Sequence, residues 1–163
     1  KMLKKHTEKI VLSRTVLAKA KIAIVRAQFN GQLTESLEKH CVATLLDHGL
    51  KKDQILQFQV PGSLEIPITA QNIAKAKKAD IIIALGVVIK GDTYHFEIVA
   101  NECARGCMDV ALKFNIPIIF EVIPVYNLAQ AKKRAGANNQ NKGREAGLAA
   151  LKMLAVMAQI KKK

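Results

Sequence analysis

The sequence predicts an α/β protein, a three-layer αβα sandwich with a central four-stranded parallel sheet. Two observations carry the prediction. Short apolar runs rich in β-branched residues alternate with longer segments whose apolar residues return at helical spacing. No hairpin signal joins one strand-like run to the next, so successive strands run parallel and each connection is a helix packed on the sheet. The 163 residues are 50% hydrophobic but only 4% aromatic, without tryptophan, so one domain with a mainly aliphatic core is expected.

Taken in order, residues 21–26, KIAIVR, read as the first interior strand, ended by the turn signal Asn30-Gly31. Leu33, Leu37, Cys41 and Leu45 then recur at four-residue intervals, one stripe of a helix over 32–49 with Gly49 as its C-terminal cap. Residues 54–60, QILQFQV, alternate and give a second strand. Pro61-Gly62-Ser63 turns the chain into a helix over about 64–78, where Pro67 is tolerated in the first turn. The apolar run Ile81–Ile89 reads as a strand buried on both faces. It breaks at Lys90-Gly91-Asp92-Thr93, and a helix runs from about Tyr94 to Phe114 on the stripe Val99, Cys103, Cys107, Val110 and Phe114. Residues 116–123 make the fourth strand, 127–135 a short basic helix and 136–141 a polar loop. The last helix, 143–160, turns Leu148, Leu151 and Ala155 inward.

The net charge of +13 is concentrated at the ends. Residues 1–21 hold seven Lys/Arg and one Glu, and Lys161 to Lys163 add three more, leaving +4 for residues 22–160. The division expected is a basic arm over 1–20, one domain over 21–160 and a basic tail over 161–163, the charged ends being solvated. No basic stripe interleaved with aromatics is present, so dedicated nucleic-acid binding is not expected. No apolar stretch approaches the roughly 20 residues of a membrane span, and the N-terminal region lacks the pattern of a secretory signal. Three cysteines, an odd number in segments that read as buried helix, suit a reducing cytoplasm and no disulfide framework.

In a parallel sheet all strand-to-helix turns emerge at one edge, where such folds place their ligands. Four turns there hold unusual residues: Phe29 and Asn30, then Ser63, Leu64 and Glu65, then residues 91–95, then the region after Phe120. The turn at 91–95 would bring free backbone N–H groups and a positive helix end beside His95, a proton-transfer group next to an anion pocket. By itself that stretch reads more simply as an ordinary turn, with Asp92 or Thr93 capping the helix and His95 exposed. Phe29 suits a ring-stacking residue or a core plug equally. Glu65 suits a ligand acceptor, though a first-turn acid needs no ligand to explain it. Arg134 and Lys142 flank the polar loop and would reach an anion, yet alone they read as solvated. Cys103 and Cys107 suggest a metal with His95, but His95 and Cys103 lie ~12 Å apart along one helix, so core thiols are expected and no metal site. Neither a dinucleotide-binding glycine pattern nor a Walker loop occurs.

Together, VPGSLEIP (60–67), ALGVVIKGDTYHFEIVANE (84–102), QAKKRAG (130–136) and NKGREAG (141–147), with IAIVRAQFN (22–30), resemble the signature segments of the lumazine synthase family. Order and spacing extend from about residue 20 to the C-terminus. The resemblance implies a flavodoxin-like fold and condensation of 5-amino-6-(D-ribitylamino)uracil with 3,4-dihydroxy-2-butanone 4-phosphate, the penultimate step of riboflavin synthesis. It implies that Phe29, with Asn30 beside it, stacks on the pyrimidine. Ser63, Leu64 and Glu65 hold the ribityl chain, and the backbone of Val87, Val88 and Ile89 holds the uracil edge. Asp92 and Thr93 bind the phosphate with Arg134 as cationic partner, His95 shuttles protons, and Lys142 supports the site electrostatically. Phe120 closes the ring pocket from the adjacent subunit. No cofactor is implied. Homopentamers are, with closure of twelve of them into a 60-subunit shell allowed, along with a functional link to riboflavin synthase and a basic arm that adds a strand to a neighbouring subunit.

Two departures stand out. Glu121 occupies the position after the phenylalanine where the family usually has glycine, with Pro124 further on, and Leu64 replaces a common aromatic. Glu121, Pro124 and the lysine-rich ends encourage a rival reading, a non-catalytic binding or shell protein of the same fold. Flavin carriage on a similar sheet is a third, without motifs of its own.

Overall fold

The computed structural model describes residues 12–161. Four strands, β1 (Ile22–Ala27), β2 (Ile55–Val60), β3 (Ile81–Ile89) and β4 (Ile118–Val125), form one parallel sheet in the order β2-β1-β3-β4. Helices α1 (Arg14–Lys19), α2 (Gly31–Asp47), α3 (Ile66–Lys75), α4 (His95–Phe114), α5 (Leu128–Ala135) and α6 (Lys142–Lys161) complete the chain. Alternation along the strands divides the interior in two. Ile22 and Ile24, Ile81 and Ile83, Ile123 and Val125 face α2, α5 and α6. Ala23 and Val25, Ile82 and Ala84, and Val122 face α3 and α4. This is the three-layer sandwich that the alternating pattern predicts. The central strands are buried on both faces, and each fully buried Ile contributes roughly 1.5–3 kcal/mol through removal from water.

Most elements form where periodicity places them. Leu37, Cys41 and Leu45 are fully buried on α2, and Gly49 takes φ 97° just beyond that helix, a conformation glycine adopts without strain. Four local readings need correction. The fourth strand lies two residues later than expected and contains Pro124. Strand β4 is at the sheet edge, and the carbonyl of Val125 accepts from Lys90 N on the β3 side. Pro124 therefore turns its missing donor outward, where no ladder bond is lost. Helix α3 begins at Ile66, because Ser63–Glu65 form one turn of 3-10 helix first. On α6 the buried side is Ala146, Ala150, Leu151 and Leu154, while Leu148 and Ala155 are half-buried. Within the expected arm, Arg14–Lys19 is helical, capped by Ser13, whose hydroxyl accepts from Val16 N at 3.2 Å. The strand expected from the arm concerns residues that fall largely outside those described, as does most of the basic tail. Among the described residues, no helix is long and apolar enough to cross a membrane.

Candidate functional site

At the carboxyl edge of the sheet the turns after β1, β2 and β3 meet. Gln28 N donates to Val60 O at 2.8 Å and Phe29 N to Pro61 O at 3.2 Å, which ties the first turn to the second. Asn30 adopts the left-handed conformation, φ 58°, and its Nδ2 donates to Val87 O at 2.8 Å, tying the first turn to β3. Strand β3 pairs with β1 only as far as Leu85, while its pairing with β4 continues to Ile89. Its last residues therefore leave one backbone edge uncovered. Alternation directs the N–H and C=O of Val87 and Ile89 to that side and those of Val88 toward β4. Gly86 admits the close approach of the second turn, since a Cβ there would stand 2.8 Å from Ser63 Oγ.

These turns enclose a cavity of about 430 Å³ lined by Phe29, Gly62, Ser63, Leu64, Glu65, Val87, Val88, Ile89, Gly91, Thr93, His95, Phe96 and Val99. One part of the lining is aromatic and aliphatic, from Phe29, Leu64, Phe96 and Val99. The other is polar, from Ser63, Glu65, Thr93 and His95. Phe29 is 72% exposed, which removes the core-plug reading. Helix α4 starts at His95 with Tyr94 at the cap position and no side-chain capping bond, so neither Asp92 nor Thr93 caps it. The first-turn amides thus lie next to Thr93 and His95 without a side-chain partner. An arrangement of this kind accommodates a flat ring, a polyhydroxyl chain and an anion side by side.

Nine of the residues singled out from the sequence share this cavity: Phe29, Ser63, Leu64, Glu65, Val87, Val88, Ile89, Thr93 and His95. Asn30 acts behind it through Val87. Asp92 is exposed on the same turn but outside the lining. Phe120 lies within β4, as in the expected strand over 116–123, opposite Ala84, and is 37% exposed. Arg134, half-buried on α5, donates from Nη1 to its own helix at Gln130 O, 3.2 Å away. Lys142 opens α6 and pairs with Glu145. Phe120, Arg134 and Lys142 therefore stay clear of the cavity of their own chain. Cys103 and Cys107 are buried between α3 and α4, where a thiol–thiol hydrogen bond, then burial, push Cys103 up.

A family model for 6,7-dimethyl-8-ribityllumazine synthase matches residues 19–158. The chain belongs to this family. Lumazine synthases are in general transferases of riboflavin biosynthesis, acting on small molecules. For a lumazine synthase family member the cavity adds Phe96, which the sequence did not single out, and Val99, which spacing placed only on the buried stripe of its helix. Phe96 and Val99 line it, and the ring of Phe96 lies 6.2 Å from that of Tyr126. Lys90 Nζ sits 5.7 Å above the Tyr126 ring and 3.3 Å from Glu97 Oε1, so the 91–94 turn is anchored to the end of β4. The adjacency of Phe96 to His95 was the available signal. The Lys90–Tyr126 contact had none, because 36 residues separate the two.

Proposed function

We propose that the chain condenses 5-amino-6-(D-ribitylamino)uracil with 3,4-dihydroxy-2-butanone 4-phosphate to 6,7-dimethyl-8-ribityllumazine, releasing phosphate and water. The observation that carries this reading is the cavity in which Phe29, Ser63 to Glu65, the open backbone edge of β3, Thr93 and His95 lie together. The pyrimidine lies against Phe29 with its polar edge on Val87 and Ile89. The ribityl hydroxyls meet Ser63 and Glu65, and the butanone phosphate meets the α4 N-terminus with Asp92 and Thr93 on the turn. Attack of the amine on the ketone gives an imine with loss of water. Phosphate then departs, and ring closure expels a second water. Holding the two substrates together supplies much of such an acceleration. Proton transfer by the His95 imidazole contributes on the order of 10²–10⁴-fold more.

Phe120, Arg134 and Lys142 complete the cavity of an adjacent protomer, which is how three residues remote from their own cavity take part. A homopentamer supplies that neighbour, and closure into a shell is compatible with it. Mixing both substrates with the protein and following lumazine fluorescence and phosphate release tests the reaction. Pyrimidine binding without product would favour the non-catalytic alternative. Arg134→Ala should raise KM for the butanone phosphate about 10–100-fold, the worth of a charged hydrogen bond. Pyrimidine affinity should change much less, and an equal loss in both would contradict the role of Arg134.

A further inference from the structure

The turn proposed to receive the phosphate has little packing of its own. Residues 91–95 are all exposed, and a Cβ on Gly91 would meet no atom within 4 Å. Helix α4 starts beyond the turn without a side-chain cap. Backbone bonds hold only the two ends: Lys90 N donates to Val125 O at 2.8 Å, and Ile98 N to Tyr94 O at 3.3 Å. A segment this poor in contacts keeps one conformation only where its ends are fixed from outside.

Four side chains fix them. Lys90 follows the last residue of β3, and Glu97 lies in the first turn of α4. Their ion pair, Nζ to Oε1 at 3.3 Å, spans the turn from one end to the other. The same Nζ lies 5.7 Å from the ring centroid of Tyr126, which follows the end of β4. Tyr126 packs in turn on Phe96, the ring centroids 6.2 Å apart and the planes tilted by 40°. Phe96 lines the cavity and Lys90 does not, so the ammonium braces the turn from behind the cavity wall. Oε2 of Glu97 is buried without a hydrogen-bond partner, which leaves Lys90 as the cation paired with that carboxylate among the described residues.

We propose that Lys90, Glu97 and Tyr126 are positioning residues, a clasp that fixes the 91–94 turn and the first amides of α4 for the phosphate of the butanone substrate without touching it. The assignment rests on the reading of that turn as the phosphate site. The turn is then ordered before the anion arrives, so binding it requires no further loss of chain freedom. Strand β4 takes part through Tyr126, which ties the phosphate turn to the rim of the sheet. Tyr126 is 69% exposed, so replacing it leaves both interior clusters intact.

Hydrogen exchange on the full chain without substrate reads the clasp directly. Exchange of the Lys90 and Ile98 amides should quicken about 3–30-fold in Lys90→Met, the worth of a part-exposed ion pair together with a cation–π contact. Tyr126→Ala should quicken it ~2–5-fold, and Tyr126→Phe, which keeps the ring, should match the wild type. Unchanged exchange in Lys90→Met, or a Tyr126→Phe as fast as Tyr126→Ala, would overturn the proposal. In the condensation assay, KM for the butanone phosphate should rise by similar factors, with KM for the pyrimidine changing less than about twofold. Combining Lys90→Met with Glu97→Gln should lose less than the two separate losses together, because the residues act as a pair. Fully additive losses would mean that Lys90 meets the phosphate itself, against the clasp. If the wild type makes no lumazine, the synthase reading fails instead, and the exchange rates still decide whether these side chains hold the turn.

Discussion

Asn30 does three things in one residue: it ends β1, starts α2 and fastens both to β3. Its φ of 58° costs most side chains ~1–2 kcal/mol, and asparagine tolerates it better than most. Asn30→Ala combines that strain with loss of the bond to Val87, so destabilisation of about 2–3 kcal/mol is expected. Asn30→Gly keeps the turn and loses only the bond, at about 1 kcal/mol. Urea unfolding of the two variants checks the order, and equal losses would mean that the backbone conformation is not the determinant. Phe29, Ser63 and His95 were legible because each stands where a strand becomes a helix. Phe120, Arg134 and Lys142 are assigned to the site by the family resemblance, since nothing in their own chain draws them to the cavity. The Arg26–Glu38 pair was not legible: a strand residue and a helix residue 12 apart meet only after the crossover packs.

Among the elements, β3 has the largest influence on the site because it outlasts β1 on one side. Its apolar run marked both ends correctly, whereas the extent of its uncovered edge depends on where β1 stops. Gly86, at the start of that overhang, leaves no room for a methyl group between Ser63 and Val122. Gly86→Ala should displace the Ser63 hydroxyl, lower stability by about 1–3 kcal/mol and weaken pyrimidine binding more than phosphate binding. Calorimetric titration with each substrate separates the two, and unchanged pyrimidine affinity would count against the placement. Strand β4 runs through Pro124 and stops two residues past its expected end, although a proline ordinarily argues against a strand. Its position at the edge removes that objection, and edge position is a property of the whole sheet order rather than of any local spacing.

For the whole molecule, periodicity accounted for the layers but said little about what the outside meets. Helix α4 keeps Ile98, Met108 and Leu112 exposed along one side, with Arg105 between them tied to Glu102 and Asp109. Met108 and Leu112, one helical turn apart, are largely unpacked within their own chain and available for a contact. We expect this side of α4 to lie between protomers, so Leu112→Glu should shift the protein to a smaller species in size-exclusion chromatography. An unchanged elution volume would place the contact elsewhere.

With Pro124 in β4, the two rims of the sheet are not equivalent. Its absent amide interrupts the outer row of donors there, while β2, ILQFQV, has neither proline nor charge along its length. A strand from another molecule can therefore extend the sheet beyond β2 but finds a broken template beyond β4. The two rims therefore differ in what they offer an incoming strand, an unbroken row of backbone groups beyond β2 and an interrupted one beyond β4.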